Sequence, residues 1–135
     1  MKNNLIENIE KDGQLLAMIV RSSFMPDQTT FLTSDGMNQQ IGYIVRSKDG
    51  LIDPHMHQPT KRLIVGTTEV LLVKKGVVDV DIYSMDRKKI VTKRLEEGDI
   101  ILLNVGGHGF RIIEDAVLVE VKQGPYVGES DKQRF

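Results

Sequence analysis

The chain has 135 residues, with 18 Lys and Arg against 19 Asp and Glu and a formal net charge of −1 at pH 7, which fits one domain with one core. The balanced charge and the absence of Trp give no reason to expect a nucleic acid or a membrane surface as a partner. Because there is no Cys, disulfide scaffolds, thiolate metal sites and cysteine nucleophiles are excluded.

The start of the chain, residues 1–13, is predicted to form an arm, an edge strand or a short helix with Leu5, Ile6 and Ile9 on one side. It lacks the apolar core of a secretory signal. No stretch of the sequence reaches the roughly 20 apolar residues of a membrane span. We therefore expect a cytoplasmic protein.

Most of the remaining apolar residues follow a period of two, which is typical of β-strands. The clearest case is residues 77–83, where three apolar side chains alternate with two aspartates. Other extended segments are predicted at 39–47, 69–73, 98–105, 109–113 and 116–123. Turn signals rich in Gly and Asp separate them, at 34–36, 48–50, 74–76, 84–89, 96–99 and 114–116. Many short strands at such spacing predict an all-β sandwich or barrel.

Two of the three histidines, His55 and His57, are one residue apart in the segment Pro54-His55-Met56-His57. If this segment is an extended strand, both imidazoles point to the same face and Met56 points to the other. Two neutral imidazoles on one face can grip a divalent metal, although two polar surface residues would give the same pattern.

Two further residues strengthen the metal interpretation. Glu69 is a charged residue that opens an otherwise apolar strand, and charged residues are rarely buried without a partner. His108 lies in Gly106-Gly107-His108-Gly109, which we interpret as a tight bend that aims the imidazole. No helix is predicted after this glycine-rich segment, so a phosphate site at a helix N-terminus is not expected.

These residues resemble the two motifs of the cupin family. In the first motif, Gly50 precedes the histidine pair, and Glu69 is followed by six residues and Gly76. In the second, Gly98 is followed by five residues and then Asn104-Val105-Gly106-Gly107-His108. Three features depart from the usual pattern: Asn104 replaces a proline, His108 comes one residue early, and eleven residues separate His57 from Glu69.

The resemblance implies a cupin-type jelly-roll β-barrel of two antiparallel sheets with little helix. One domain would cover residues 1–135, with an N-terminal arm at 1–13, the barrel at about 39–125 and a tail at 126–135. It also implies that four side chains meet inside the barrel around one divalent transition metal such as Zn, Fe, Mn or Ni; Co and Cu suit the same ligand types. These ligands are His55, His57, Glu69 and His108.

The function implied by the resemblance is binding of, or action on, a small polar metabolite. The last segment of the chain is also similar to small cupins of bacterial surface-polysaccharide synthesis, so a sugar or sugar acid is the expected ligand. Whether the chain is an enzyme stays open, and a metal-dependent sugar isomerase or epimerase is one possibility. An iron-dependent dioxygenase and a non-catalytic binding protein are alternatives, and a metal-free epimerase built on an inward His and a carboxylate ranks below them.

Four residues are candidates for contact with the small-molecule ligand. Lys61 and Arg62 follow the histidine pair and could attract an anionic group, although a solvated loop is the simpler interpretation. Arg46 and Tyr126 could line the mouth of the barrel, or could be surface residues. No residue is assigned a catalytic role. A homodimer is expected, formed through edge strands or exchanged N-terminal segments.

Overall fold

The computed structural model describes residues 4–135, and its regular structure is almost entirely β. The eight strands are β1 (Ile6–Lys11), β2 (Gln14–Val20), β3 (Thr30–Phe31), β4 (Gly42–Tyr43), β5 (Glu69–Tyr83), β6 (Lys89–Leu95), β7 (Ile100–Leu103) and β8 (Gly107–Lys122). Within the described residues the only helix is a 3-10 turn, Gly128–Asp131. Every strand pairing is antiparallel, in two sheets. The predicted all-β fold with two antiparallel sheets and little helix is confirmed.

The described chain divides into two compact units. The first comprises the residues up to Phe24 together with Thr67–Phe135, and the second comprises Met25–Gly66. In the second unit β3 pairs with β4, and the Ile41 backbone N–H donates a hydrogen bond to Thr33 Oγ1 at 3.1 Å. The single-domain organisation stays a prediction, and its residues 1–3 lie outside the described part of the chain.

The first unit is one antiparallel sheet that curls strongly into a half-barrel. Its strand order is β1-β2-β7-β5-β6, and β8 pairs with the other side of β5. β5 is therefore the central strand. Its first residues lie between β7 and β8, and its last residues lie between β6 and β8.

The core of this unit lies on the concave face of the curled sheet, where buried apolar residues from five strands pack together. Burying them stabilises the fold at roughly 25 cal/mol per Å² of apolar surface. The buried cluster consists of Ile9, Leu16, Ala17, Ile19, Leu71, Val73, Val78, Val80, Ile82, Leu95, Ile101 and Leu103.

The predicted turn at residues 74–76 is wrong, because β5 continues through it as one strand. Gly76 has a φ of +87°, and its pairing with β8 shifts register on both sides of this glycine. The shifts form bulges, which add residues to one strand without reversing it. Residues 71 and 73 face the core before the bulge, whereas residues 78 and 80 face it afterwards, so the inward parity changes.

The predicted turn at residues 114–116 is wrong for the same reason. β8 runs from Gly107 to Lys122 opposite β5, and the irregular part of the ladder lies where both strands bend. Bulges and turns use the same residue types, Gly and Asp, because both need unusual backbone angles. The turns at 84–89 and 96–99, by contrast, are confirmed, and the Ser84 N–H donates to Lys88 O at 2.9 Å.

Two more strand predictions need correction. The segment 39–47 contains only the two-residue strand β4, and the histidine pair lies in irregular backbone, since no strand occurs at residues 44–68. At the N-terminus, Ile6–Lys11 is an edge strand paired with β2, which was one of the three alternatives for this region.

Ion pairs join the two ends of the sheet path, β1 and β6. Lys93 Nζ lies 2.7 Å from Glu7 Oε2, and Arg21 Nη2 lies 2.6 Å from Glu7 Oε1. Arg21 also donates to the Arg94 carbonyl oxygen at 2.7 Å and to Asp99 Oδ2 at 2.9 Å. Asp99 is buried and accepts further hydrogen bonds from backbone N–H groups, as buried carboxylates require. The network therefore links β1 and β6 to the turn before β7.

Candidate functional site

Glu69 and His108 meet on the concave face of the half-barrel. Glu69 opens β5 on the same side as the buried Leu71, since residues two apart in a strand share a face. His108 is paired with Ile82 of β5, a core residue, so it also faces inward. The strong curl brings the two side chains together, with His108 Nε2 at 3.2 Å from Glu69 Oε2.

The electrostatics of this pair favour an ionised carboxylate. The pKa of Glu69 is held below its usual value, chiefly by the hydrogen bond from His108. Burial acts in the opposite direction and raises the pKa, because it penalises the charged form. The charge of His108, a hydrogen bond with Glu120 and the charge of Lys122 add to the lowering. Glu69 is therefore an acceptor for a donor or a cation at neutral pH.

A small cavity of about 30 Å³ adjoins the pair. A water molecule needs roughly 10–15 Å³ of such volume, so the cavity has room for an ion or about two waters. Its polar walls come from Thr67, Glu69, Asn104 and His108, and its apolar walls from neighbouring core residues and the glycine bend.

The bend before β8 sets the direction of His108. Gly106 has a φ of +85°, and a Cβ at this position would lie 2.3 Å from the Tyr83 carbonyl oxygen, so only glycine fits. Asn104 fixes the preceding residues to β2. Its backbone N–H donates to Leu16 O at 2.9 Å and its side chain donates to Leu15 O at 2.9 Å. A proline, the usual residue in the family motif, has no N–H for this bond.

Two charged residues near the pair were not predicted from the sequence. Glu120 of β8 is paired with the core residue Leu71, and Lys122 is paired with Glu69, so both lie on the concave face. Lys122 Nζ lies 3.5 Å from Glu120 Oε1. The alternation in residues 116–123 was the available signal, but the usual assumption would place the valines inside and the charges outside.

The other two predicted ligands, His55 and His57, belong to the second unit. Although the backbone there is not a strand, their rings are neighbours, with centroids 5.4 Å apart in an edge-to-face arrangement. His55 Nδ1 lies 2.8 Å from the Asp53 carbonyl oxygen. A carbonyl only accepts, so Nδ1 carries the proton in neutral His55 and Nε2 keeps the lone pair that a metal needs.

The predicted ligand-contact residues are also divided between the units. Arg46 in the second unit donates from Nη1 to Thr29 Oγ1 at 2.9 Å and to the Val45 carbonyl oxygen at 2.8 Å. Lys61 and Arg62, in the same unit, are exposed in irregular backbone. Tyr126 lies in the first unit, where its ring centroid is 5.9 Å from Lys122 Nζ. Contact of Tyr126 with a ligand stays a prediction.

The donor types suit a divalent transition metal, since imidazole and carboxylate are both ligands of such ions. Two ligands bonded at roughly 2.0–2.2 Å to one ion, at about a right angle, lie roughly 3 Å apart. The 3.2 Å between His108 Nε2 and Glu69 Oε2 agrees with that spacing. Among residues 4–135 the structure contains no group of three or more His, Asp or Glu side chains placed to hold one ion. The meeting of all four predicted ligands stays a prediction.

No protein-family model, no curated protein and no solved structure matches the chain. The cupin resemblance therefore depends on the motif residues alone. A search of the described helices for a membrane span finds none with the necessary length and apolar character.

Proposed function

We propose that this chain is a small metal-binding cupin that binds, or acts on, a sugar-like metabolite at the concave face of the half-barrel. One divalent transition metal would be held by His55, His57, Glu69 and His108. When bound, such an ion polarises a carbonyl, lowers the pKa of a water or, if redox-active, activates dioxygen. A cytoplasmic location and a homodimer are parts of the same proposal.

The observation that carries the proposal is the contact between Glu69 and His108. These residues belong to the two separate sequence motifs, yet their side chains approach to 3.2 Å beside a polar cavity. The Asp53 carbonyl fixes the tautomer of His55, so Nε2 keeps the lone pair that a metal needs. Each pair supplies ligand atoms of the expected chemical type.

The test is elemental analysis of purified protein. We expect about one equivalent of a transition metal in the wild type and a strong loss in His57→Ala, since affinity depends on ligand number. Gln58→Ala, the neighbouring exposed residue, is the matched control and should keep its metal. Equal metal content in His57→Ala and Gln58→Ala would reject the proposed ligand set.

The same preparation distinguishes the alternatives within this proposal. If iron is the metal and the loaded protein consumes dioxygen with a sugar present, the chain is a dioxygenase. If a bound ligand is recovered unchanged after long incubation with metal-loaded protein, the chain is a binding protein.

A metal-free sugar epimerase is a second candidate, and one specific observation favours it. The sequence spacing does not indicate an inward histidine beside a carboxylate, but the structure contains that arrangement in His108 and Glu69. Because Nε2 of His108 faces the Glu69 carboxylate, Nδ1 is the nitrogen that would take a proton from a ligand carbon. Glu69 would then stabilise the imidazolium, a proton from water would be added to the opposite face of that carbon, and His108 would release its proton to solvent.

Solvent deuterium separates the two candidates. Carbonyl sugars incubated with the protein in D2O incorporate deuterium beside the carbonyl if a base removes that proton. The epimerase candidate predicts that EDTA leaves this exchange intact and that His108→Ala abolishes it. Loss of exchange on chelation, restored by the metal, would support the metal-dependent candidate instead.

A further inference from the structure

We propose that Glu120 and Lys122 of β8, together with Tyr126, form a binding surface for an uncharged, hydroxyl-rich ring, such as a pyranose, beside Glu69 and His108. The inference deepens the proposed function, because it assigns the ligand class and new contact residues to the same site. It begins from an unusual distribution of polar and apolar residues on β8.

The last part of β8 has its polarity reversed relative to an ordinary half-buried strand. Val117, Val119 and Val121 are 50%, 42% and 56% exposed, on the outer face. Glu120 and Lys122 occupy the concave face that elsewhere carries the hydrophobic core. Their side chains are 23% (Lys122) and 39% (Glu120) exposed, so the pair is partly desolvated and still open to a ligand. A polar ligand is a partner that this end of the half-barrel can receive.

The groups on this face can recognise hydroxyls from several directions. Lys122 Nζ and Glu120 Oε1 are 3.5 Å apart, so a hydroxyl near both can accept from the ammonium and donate to the carboxylate. Glu69 lies beside this pair, because it is opposite Lys122 in the strand register. The ring of Tyr126 is 77% exposed and lies 5.9 Å from Lys122 Nζ, which leaves an aromatic surface beside the polar groups.

Charge balance selects the ligand class. The Lys122 ammonium is paired with the Glu120 carboxylate and lies opposite a second carboxylate, Glu69, in the strand register. Glu120 and Lys122 therefore offer no surplus positive charge of their own to an anionic group. A carboxylate or phosphate placed on this surface would be repelled by Glu120, whereas a neutral hydroxyl would meet a donor and an acceptor. The part of the ligand that contacts this pair is consequently uncharged.

The experiment uses matched probes, the methyl pyranosides of glucose, galactose and mannose, and methyl glucuronoside, which differs from the glucoside by one carboxylate. Amide signals of the isotope-labelled full chain are followed during titration. We expect at least one neutral pyranoside to shift the signals of Glu69, Gly107 and Lys122, and the glucuronoside to bind several-fold more weakly than the glucoside. If no neutral pyranoside shifts these signals, or if the glucuronoside binds more tightly than the glucoside, the inference is overturned.

Variants locate the site. Lys122→Met keeps the aliphatic stem and Glu120→Gln keeps the shape, and each should weaken pyranoside binding about tenfold, because a hydrogen bond to a charged group is lost. Glu114→Gln, an exposed glutamate on the same strand, is the control and should bind as the wild type does. Wild-type binding by both Lys122→Met and Glu120→Gln would also reject the inference.

The outcome is separable from that of the metal proposal. Lys122 is not among the proposed metal ligands, so Lys122→Met should retain the metal content of the wild type. Pyranoside binding by a protein that is purified without a transition metal and takes none up would contradict the metal site and support the inference. A metal bound by the four ligands, with no response to pyranosides, would support the metal site and overturn the inference.

Discussion

Two stretches of the same sheet both alternate apolar and charged residues, but they direct opposite residue types toward the face of the core. In the last part of β5 the valines at positions 78 and 80 are fully buried, while Asp79 and Asp81 lie on the outer face. Asp79 there receives a two-pronged contact from Arg94, with Nε to Oδ1 at 2.8 Å and Nη2 to Oδ2 at 3.1 Å. In residues 117–122 of β8 the valines face outward, and Glu120 and Lys122 share the face of the core by register, with side chains 39% and 23% exposed.

The difference separates a structural stretch from a candidate binding stretch. The first arrangement needs no ligand, since its apolar groups are packed and its charges are solvated or paired. The second places charges on the face where packing would favour apolar groups, and leaves apolar groups in water. Packing within this unit gains nothing from that exchange, whereas recognition of a polar ligand does. The two stretches are joined on β5 by the bulge at Gly76, where the inward parity changes.

The largest effect is expected from Gly76→Ala. The added Cβ would lie 2.2 Å from the Asp115 carbonyl oxygen, at a backbone φ of +87°. The left-handed conformation and the displacement of β8 together should lower the free energy of unfolding by about 3 kcal/mol or more. Urea denaturation measures this loss of stability.

Gly109→Ala is the matched control for this variant. Gly109 lies in β8, and a Cβ there would meet no atom within 4 Å. We expect a change within about 1 kcal/mol. Equal losses in the two variants would show that the bulge at Gly76 does not hold the two stretches in register.

The next largest effect is expected from Val80→Thr, in the last part of β5. Val80 is fully buried in the core cluster, and threonine has nearly the same shape but adds a hydroxyl. Burying a hydroxyl among apolar neighbours should lower the free energy of unfolding by about 1–3 kcal/mol. Wild-type stability of Val80→Thr would mean that this face is hydrated in solution.

The sequence predicts residues 77–83 well and the turns and bulges between extended segments poorly. Residues 77–83 show the period of two without ambiguity, and the structure buries the residues that the pattern selects. At Gly76 the same glycine is compatible with a reversal or a bulge, and only the pairing with β8 decides between them. Local sequence does not contain that partner, so two predicted turns became continuous strands.

The candidate site is predictable in part. The sequence identifies Glu69 and His108, because one is a charge at the start of an apolar strand and the other follows a glycine bend, and the structure brings them into contact. Glu120 and Lys122 cannot be identified as site residues from the sequence. Alternation shows that they share a face, but the inward choice follows from their register with Leu71 and Glu69. Register is a long-range property.

A pH-dependent effect of moderate size is expected from Glu69→Gln, measured in EDTA so that no metal contributes. The pKa of Glu69 is lowered in the folded state, mainly by the hydrogen bond from His108. The unfolded chain therefore binds this proton more readily. The stability from this group is fully present above the ordinary pKa of 4.5 and is lost as the pH falls through the lowered folded value.

Urea denaturation at a series of pH values checks this sign. Wild type should exceed Glu69→Gln in stability at neutral pH, and the difference should shrink as the solution becomes more acidic than the ordinary pKa. Glu97→Gln, an exposed glutamate in the turn after β6, serves as the reference. A difference that grows on acidification would mean that Glu69 does not gain its partner in solution.

The smallest effect is expected from Val119→Thr, the same substitution as Val80→Thr but on the outer face of the reversed stretch. Val119 is 42% exposed, so the added hydroxyl remains hydrated and the free energy of unfolding should change by less than about 0.5 kcal/mol. Comparing the two variants by urea denaturation at several protein concentrations tests the reversed polarity directly. If Val119→Thr loses as much stability as Val80→Thr, and loses it in a concentration-dependent way, the outer valines are covered by a second copy of the chain in solution. The reversal on β8 would then have an explanation in assembly on its outer face, and the case for a ligand on the inner face would depend on the titration alone.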